Sequence, residues 1–307
     1  MNSRLPPVKA GRVKQAFILG AGLGNRLRPL TGRLPKPLVP LFHQPLAGWA
    51  VEACAGIGID RFAVNTHHLP EAWEGFGAGR DVTFFHEPDL LETGGGLKNL
   101  AYWMGGDPLL VHNGDIFSTM PLEKLVSAHK ASGLPVTLAL RSEGVASHIA
   151  LDESGTRVRD IRNMLGIAGG THVFSGIYCV NPDFLELIPA GEKISVIPAF
   201  LELAKEGTLG AIILDEGVWL DLGDRESYLQ AHRELALAEG IHPEARIGAG
   251  AVIERSAIGP GSVVEEGAVI RDSVIWPGAR VSGDAVLDRC IVFSDAPVGG
   301  SHQDADL

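Results

Sequence analysis

Three glycines and two basic residues near the start of the chain have the types and the spacing needed to bind phosphate groups. An apolar stretch, predicted to be a strand, precedes Gly20, Gly22 and Gly24, and the basic residues Arg26 and Lys36 follow. Glycines leave the backbone N–H groups bare, so that they can donate to phosphate oxygens. The two cations would neutralise the charge of a ligand that the N–H groups orient.

Two aspartates have the type and position expected of magnesium ligands. Asp115 follows a predicted strand in the run Asn113-Gly114-Asp115, and Asp221 ends another in the run WLDLG. Mg²⁺ prefers a few carboxylate oxygens together with substrate phosphates. The alternative for each aspartate is an ordinary role in a turn or a helix cap.

Two common phosphate-binding motifs do not fit these residues. A dinucleotide-binding loop has a third glycine where Asn25 stands, and an acidic residue about 20 positions later. No acid occurs here before Glu52. A P-loop has a lysine immediately after its glycines, and none is present. The remaining alternatives are a surface loop with incidental charges and a nucleotidyltransferase signature.

The run from Gly22 to Thr31, GLGNRLRPLT, followed by PKPL at Pro35–Leu38, resembles the signature of sugar-1-phosphate nucleotidyltransferases. The resemblance covers about residues 14 to 293. It implies Mg²⁺-dependent transfer of a nucleotidyl group from a nucleoside triphosphate to a sugar 1-phosphate, with release of pyrophosphate. The nucleotide sugar formed would serve cell-wall or surface polysaccharide.

The resemblance also implies roles for individual residues. Arg26 would contact the leaving β,γ-phosphates, Lys36 the α-phosphate and the attacking phosphate, and Asp115 with Asp221 would hold Mg²⁺. The residues implied in nucleotide binding are Leu19, Gly20, Ala21, Gly22, Gly24, Thr93, Gly94, Gly95 and Asn113. Those implied in sugar-phosphate binding are Ser175, Gly176 and Arg162, which replaces the lysine of a Glu-Lys-Pro motif found in many relatives.

The nucleobase is indicated by conflicting features. The run Glu92–Gly96, ETGGG, is most similar to N-acetylmuramate-1-phosphate uridylyltransferases and favours UTP. The β-helix described below is commoner in mannose-1-phosphate guanylyltransferases, which makes GTP the alternative. A regulatory subunit that binds a nucleotide sugar without turnover is an alternative from another class. The retained Lys36, Asp115 and Asp221 favour an enzyme.

The elements that would position these residues alternate between strand and helix up to about residue 141. This alternation predicts an α/β domain over residues 12–239, with a Rossmann-like, mostly parallel sheet. From residue 146 a region richer in strands would cover the sugar side. Ligands of such sheets bind at the carboxyl ends of the strands, where we expect Gly20 and Asp115 to face one cleft.

After Gly240 aliphatic residues recur with a period of 17 residues. The pattern predicts a left-handed parallel β-helix of three coils over residues 241–295, and a β-sandwich is the alternative. Stacking would align Ile247, Val264 and Val281 in one ladder and Ser256, Ser273 and Cys290 in another. We expect a disordered tail at 296–307, and a homo-oligomer formed through the β-helix.

Composition excludes several classes of protein. The net charge of −11 argues against a nucleic-acid surface. Residues 1–51 nevertheless carry eight Lys and Arg and no acid, which suits a small polyanion such as a nucleoside triphosphate. No apolar run is long enough to span a membrane, no secretory signal is apparent, and three scattered cysteines suit a reducing compartment. A cytoplasmic location is therefore expected.

Overall fold

The computed structural model describes residues 13–144, 146–235 and 240–307. Contacts group the chain into two units. The first comprises the chain up to Gly22 together with Ala47–Trp219, and the second comprises Leu23–Leu46 together with Leu220–Leu307. This grouping differs from the predicted division near residue 240, because the segment that carries Arg26 and Lys36 belongs with the β-helix.

The first unit is built on a seven-stranded sheet. Its strands, numbered in chain order, are β1 Gln15–Leu19, β2 Arg61–Thr66, β3 Asp81–His86, β4 Leu109–Asn113, β5 Val136–Arg141, β6 Val173–Val180 and β7 Leu209–Ile213. They lie in the order β7-β5-β6-β4-β1-β2-β3. Strand order therefore reverses at β1, which has β2 on one side and β4 on the other.

The sheet is mostly parallel, as predicted, because β6 alone among the seven strands runs antiparallel to its neighbours. The central strands β1 and β4 are nearly all buried, as expected of strands covered on both faces. Phe17 and Val111 are fully buried in the hydrophobic core, together with Phe200 from a covering helix.

Helices flank the sheet and join its strands. The α-helices are α1 Leu46–Gly56, α2 Glu92–Asn99, α3 Ala101–Met104, α4 Leu122–Ser132, α5 Ile197–Lys205 and α6 Arg225–Glu234. Short 3₁₀ helices span Asn25–Leu27, Leu30–Gly32, Lys36–Leu38, Pro70–Trp73 and Pro182–Leu187. The sequence also predicts a helix over Asp224–Glu239; the structure has α6 there, and residues 236–239 lie outside the described residues. None of the helices that the structure describes is long and apolar enough to cross a membrane.

The remaining strands that the structure describes outside the β-helix are two to four residues long. They span Pro40–Leu41, Gln44–Pro45, Ile116–Ser118, Ile149–Leu151, Val158–Ile161 and Trp219–Asp221. Ile149–Leu151 and Val158–Ile161 pair antiparallel in the region predicted to be rich in strands.

In the second unit, residues after Gly240 form three parallel sheets of stacked short strands, as the 17-residue period predicts. The strands are Arg246–Ile247, Val252–Glu254, Ala257–Ile258, Val263–Val264, Val269–Arg271, Val274–Ile275, Arg280–Val281, Val286–Asp288, Ile291–Val292 and Ser301–Gln303. The predicted ladder of Ile247, Val264 and Val281 is present in the strand register. In the second ladder, the N–H of Ser273 donates to Ser256 Oγ at 3.0 Å, and that of Cys290 donates to Ser273 Oγ at 2.9 Å.

The prediction of a disordered tail at 296–307 is wrong, because these residues continue the β-helix as a fourth coil. Ser301–Gln303 pairs in parallel with Val286–Asp288, and Leu307 packs against the buried aliphatic residues. The fourth coil escaped the periodic pattern because Val286 pairs with Ser301, a step of 15 residues, whereas the earlier coils repeat every 17.

Candidate functional site

Two predicted ligand-binding segments start at neighbouring strand ends in the first unit. Leu19, the last residue of β1, is in register with Asn113, the last residue of β4. The N–H of Gly114 donates to the carbonyl of Leu19 at 3.0 Å. Gly20 and the half-buried Asp115 therefore follow adjacent strands at the point where strand order reverses, which is where open α/β sheets bind ligands.

The glycines of the first loop have different reasons to be glycine. Gly20 is buried, and a Cβ there would lie 2.5 Å from the carbonyl oxygen of Asn65. Its N–H donates to Asn65 Oδ1 at 2.7 Å. Gly22 is exposed, with no atom within 4 Å of a hypothetical Cβ, whereas Ala21 is buried. Of these three residues, Gly22 leaves the backbone open to a ligand.

The glycines of the ETGGG run hold helix α2 against a neighbouring segment. The N–H groups of Gly94 and Gly95 both donate to the carbonyl of Ile194, at 2.9 and 3.0 Å. A Cβ on Gly95 would lie 2.3 Å from the carbonyl of Glu192. Thr93 Oγ1 accepts the N–H of Val196 at 3.0 Å. Close backbone packing therefore accounts for the glycines of this run, and the N–H groups of Gly94 and Gly95 already have acceptors within the protein.

Asn113 and Gly176 lie side by side where β4 meets β6. Gly176 has φ +77°, and a Cβ there would lie 2.7 Å from Asn113 Nδ2. The carbonyl of Asn113 accepts from the ring Nδ1 of His112 at 2.7 Å, and burial lowers the pKa of His112 to about 4. That ring is therefore neutral at physiological pH and shapes the strand end without adding charge.

The hydroxyl of Ser175, a residue implied in sugar-phosphate binding, makes its hydrogen bonds within the fold. Ser175 is fully buried, its Oγ donates to the carbonyl of Ala139 at 2.8 Å, and it accepts the N–H of Ile177 at 3.2 Å. Its own carbonyl accepts from Trp219 Nε1 at 2.8 Å. The hydroxyl thus stabilises an irregular stretch of β6, where the register against β5 shifts.

Arg162 is exposed on a loop that a buried carboxylate organises. Arg162 has a left-handed backbone, with φ 55°. Asp160 Oδ1 accepts the N–H groups of Ile161 and Leu165 at 2.7 and 3.1 Å, and Oδ2 accepts that of Ile167 at 3.0 Å. Burial opposes ionisation of Asp160, but these N–H donors hold its pKa below the ordinary value.

The second unit brings two of the predicted catalytic residues together. Lys36 Nζ lies 3.6 Å from Asp221 Oδ1, and the lysine side chain is only 7% exposed whereas that of the aspartate is 47% exposed. Gly24 has φ 61°, and a Cβ there would lie 2.9 Å from Lys36 Cβ and 2.8 Å from Thr31 Cγ2. The signature folds so that glycine at position 24 leaves room for the lysine stem.

Arg26 lies beside the residues that follow Asp221. It is exposed, and a Cβ on Gly223 would be 3.1 Å from its Nη2. Asp224 caps helix α6 by accepting the N–H of Ser227 at 2.9 Å. That hydrogen bond and the charge of Arg26 lower the pKa of Asp224. Lys36 therefore adjoins Asp221, and Arg26 adjoins Gly223 and Asp224.

Two buried polar residues were not predicted from the sequence. Asn65 and Glu87 are 3% and 1% exposed. Asn65 interrupts the apolar strand RFAVNT, which is the signal that could have identified it. Glu87 directly follows β3 and offers no such pattern.

The predicted magnesium ligands fall in different units, Asp115 in the first and Asp221 in the second. Within the described part of the chain, no group of three or more His, Cys, Asp or Glu could enclose a metal ion. Two carboxylates completed by substrate phosphates remain a suitable donor set for Mg²⁺. The histidine His67 makes a hydrogen bond within the fold, because its Nδ1 lies 2.8 Å from the carbonyl oxygen of Glu87.

Two family models match the chain. The one described as "Nucleotidyl transferase" matches residues 15–237, and the one described as "GlmU-like, C-terminal hexapeptide" matches residues 230–301. Together they span both kinds of architecture described above.

Curated relatives carry related names. "Probable mannose-1-phosphate guanylyltransferase 2" of Arabidopsis thaliana is 30% identical over 237 residues, which cover 71% of this chain and 64% of that protein. "Mannose-1-phosphate guanylyltransferase" of Mycobacterium tuberculosis is 29% identical over 264 residues, covering 81% of this chain and 72% of that protein. The chain thus spans about two thirds of the length of these relatives.

Solved structures share the fold. A crystal structure of UDP-glucose pyrophosphorylase complexed with UDP-glucose aligns with a TM-score of 0.62 at 19% identity, covering 71% of this chain and 97% of the other. At this identity the likeness establishes the fold alone.

Proposed function

The chain belongs to the nucleotidyl transferase family, and from that premise we propose that it transfers a nucleotidyl group from a nucleoside triphosphate to a sugar 1-phosphate. The family resemblance predicted from the signature is thereby confirmed. The observation that carries the proposed reaction is the buried Lys36 beside Asp221. A buried lysine paired with a carboxylate, in a segment that follows a glycine-rich loop in the sequence, suits a polyphosphate substrate.

The reaction needs charge neutralisation more than proton transfer. An oxygen of the sugar phosphate bonds to the α-phosphorus while the bond from that phosphorus to the bridging oxygen of pyrophosphate breaks. The nucleophile has a second pKa near 6 and is largely dianionic at neutral pH, so no general base is required. Lys36 binds the α-phosphate and the attacking phosphate, and Arg26 binds the leaving β,γ-phosphates. Positioning and electrostatics then account for the rate.

Mg²⁺ is part of the proposal. Asp115 and Asp221 would hold it, because carboxylate oxygens are the ligands this ion combines with phosphates. When bound, the ion would neutralise phosphate charge. Lys36 would contact Asp221 and substrate at once, so that the carboxylate orients the ammonium that reaches the phosphates.

The nucleobase is proposed by weighing two observations. The ETGGG run favours UTP, but backbone packing on Ile194 and Glu192 explains its glycines without reference to a base. The relatives described above are named mannose-1-phosphate guanylyltransferases. We therefore rank GTP with mannose 1-phosphate first and keep UTP with an amino-sugar 1-phosphate as the alternative.

Pyrophosphate release from each of the four nucleoside triphosphates, paired with several sugar 1-phosphates, tests the proposal. We expect turnover with one pair to exceed the others by at least an order of magnitude, because a base-reading site discriminates through unpaired polar groups. A clear UTP preference would reverse the ranking of the bases. Nucleotide-sugar binding without turnover by any pair would instead support a regulatory subunit.

Assembly through the β-helix is the last element of the proposal. Sedimentation velocity of the full chain tests it, with a concentration-independent monomer as the contrary result. This measurement is independent of the assay for turnover.

A further inference from the structure

A chain of buried hydrogen bonds joins the first glycine loop to the start of helix α2. The N–H of Gly20 donates to Asn65 Oδ1 at 2.7 Å, and Asn65 Nδ2 donates to Glu87 Oε1 at 2.8 Å. Glu87 Oε2 then accepts the N–H of Leu91 at 2.9 Å. The chain thus crosses from the end of β1, through β2, to the residues after β3 and the residue before α2.

Each polar atom in this series of hydrogen bonds can act only as a donor or only as an acceptor. The amide of Asn65 accepts with its oxygen and donates with its nitrogen, while both oxygens of Glu87 accept. Because Gly20, Asn65 and Glu87 are all buried, a reversed or missing partner would leave a polar atom without water to replace it. An unsatisfied polar atom in a low-dielectric interior lowers the stability of the fold. The series of hydrogen bonds therefore specifies one arrangement of the three segments.

The same two side chains explain glycines in both motifs. A Cβ on Gly96 would lie 2.8 Å from Glu87 Oε1 and 2.9 Å from Asn65 Nδ2. A Cβ on Gly20 would lie 2.5 Å from the carbonyl of Asn65. The glycine loop and the ETGGG helix therefore pack on one common buried pair, which lies between them.

We propose that Asn65 and Glu87 are positioning residues that fix the first glycine loop relative to helix α2, and thereby set the affinity for the nucleoside triphosphate. The proposal rests on the function proposed above. Both side chains are buried, so the pair would act on the ligand through the segments that it holds. It acts through Gly20, which begins the loop whose exposed Gly22 faces away from the protein's own atoms.

The direction of the hydrogen bonds provides a sharp test. The same hydrogen bonds can form when the amide of Asn65 and the carboxylate of Glu87 exchange places. In Asn65→Asp, two acceptor carboxylates would face each other. In Glu87→Gln, the side-chain NH₂ group would replace one of the two acceptor oxygens. This donor would then face another donor, either Asn65 Nδ2 or the N–H of Leu91. In the double variant N65D/E87Q, the amide nitrogen of the introduced glutamine donates to the introduced aspartate. Gly20 and Leu91 keep their acceptors, and the net charge is unchanged.

Two measurements apply to the full chain. Amide hydrogen exchange of a peptide covering residues 18–24 reports the loop without any assay of activity. We expect each single variant to exchange at least about tenfold faster there, and the double variant to return to within about threefold of wild type, since local opening sets exchange. Steady-state kinetics should show the KM for the triphosphate following the same pattern, with the KM for the sugar phosphate within about twofold of wild type.

Asn181→Asp is the matched control, because Asn181 also makes amide hydrogen bonds in the first unit, to Leu134 and His129. It should lower the melting temperature while leaving exchange at residues 18–24 and the KM for the triphosphate unchanged. If a single variant fails to fold, the double variant decides: restored folding, exchange and KM support the proposal. Single variants with wild-type exchange and KM, or an unrescued double variant, would overturn it. Absence of turnover in the wild type would refute the proposed function. The exchange data would still show whether Asn65 and Glu87 hold the glycine loop in place.

Discussion

Lys36 is a charged residue with an almost fully buried side chain. Its burial lowers the stability of the fold but places the ammonium where the proposed chemistry needs it. Its ammonium lies 3.6 Å from Asp221, which offsets part of the penalty of removing a charge from water. The aspartate remains half exposed, so a ligand can reach the same carboxylate. The pair therefore links the folding of the signature to its proposed chemistry.

We expect Lys36→Met to lower kcat by at least about a hundredfold, because the ammonium that neutralises the attacking and α-phosphates is lost. Methionine keeps the apolar stem, so the packing against Gly24 should persist. Turnover by pyrophosphate release and a thermal melt measure the two effects.

Arg28→Met is the control for Lys36→Met, since Arg28 is an exposed cation of the same segment. It should retain turnover within about threefold of wild type, as surface charges contribute little. A Lys36→Met enzyme with normal turnover would show that the lysine serves the fold alone.

Asp115→Asn and Asp221→Asn should each raise the Mg²⁺ concentration needed for half-maximal turnover. If the two residues serve one ion, the double variant should lose much less than the sum of the single losses in activation free energy. Asp221→Asn should show the larger effect, because it also removes the charge partner of Lys36. Magnesium titrations of the three variants measure this, and strictly additive losses would contradict a shared ion.

At the scale of residues, the sequence was most informative where a motif places chemistry in consecutive positions. The motifs identify Arg26, Lys36 and Asp221 as candidates in this way, and in the second unit Lys36 contacts Asp221 while Arg26 adjoins Gly223. The role of Ser175 as an internal hydrogen-bond donor, and the pairing of Asn65 with Glu87, could not be predicted. Both depend on contacts between strands that only the register reveals.

Helix α2 depends on glycine where its backbone meets the segment 192–196. We expect Gly95→Ala to lower the free energy of unfolding by about 1–3 kcal/mol, because the added methyl would lie 2.3 Å from the carbonyl of Glu192. Gly106→Ala is the control, since no atom lies within 4 Å of its hypothetical Cβ. Denaturant unfolding measures both, and equal stability of the two variants would refute the packing argument.

The loop that carries Arg162 depends on the carboxylate of Asp160. The pKa of Asp160 is lower in the folded protein than its ordinary value, so its contribution is fully present above the unfolded pKa and is lost as pH falls through the folded pKa. We therefore expect Asp160→Asn to be less stable than wild type at pH 7, with a difference that shrinks below about pH 4. Urea unfolding across this pH range measures it.

The same Asp160→Asn variant tests the proposed role of Arg162. A disordered loop should raise the KM for the sugar 1-phosphate while the KM for the triphosphate stays near that of wild type. Glu153→Gln, an exposed carboxyl nearby, is the control. A constant stability difference down to pH 3 would show that the hydrogen bonds to Asp160 do not depend on its charge.

At the scale of elements, periodicity was sufficient for the α/β alternation and for three coils of the β-helix. Both patterns repeat over many residues, so a few exceptions do not hide them. The fourth coil was missed because its step shortens to 15 residues at Gly299-Gly300. One shortened step changes the phase of every later aliphatic position, and the remaining stretch was too short to show a period of its own.

The second unit joins the signature segment to the β-helix through a buried polar contact. Tyr228 of helix α6 donates from its hydroxyl to the carbonyl of Pro40 at 2.6 Å, and Trp276 Nε1 donates to that hydroxyl at 3.1 Å. Burial raises the pKa of Tyr228, so the phenol remains a donor at physiological pH. Arg33 adds an ion pair to Asp295 at 2.6 Å.

We expect Trp276→Ala to lower the free energy of unfolding by about 3–5 kcal/mol, because a large buried ring would be replaced by a cavity. Turnover should fall as well, since the segment containing Lys36 loses a packing partner. Val286→Ala is the control, as Val286 is 41% exposed in the same β-helix. Unchanged turnover in a destabilised Trp276→Ala protein would show that the β-helix supports stability only.

The discontinuous second unit has a consequence for synthesis on the ribosome. Leu23–Leu46 emerges early, but its partners begin at Leu220. At ordinary elongation rates the ribosome needs roughly 9 to 35 seconds to add the intervening residues. The segment with Lys36 must wait that long for Tyr228, and longer for Trp276. A nascent chain can therefore complete its phosphate-binding signature only after most of its translation is finished.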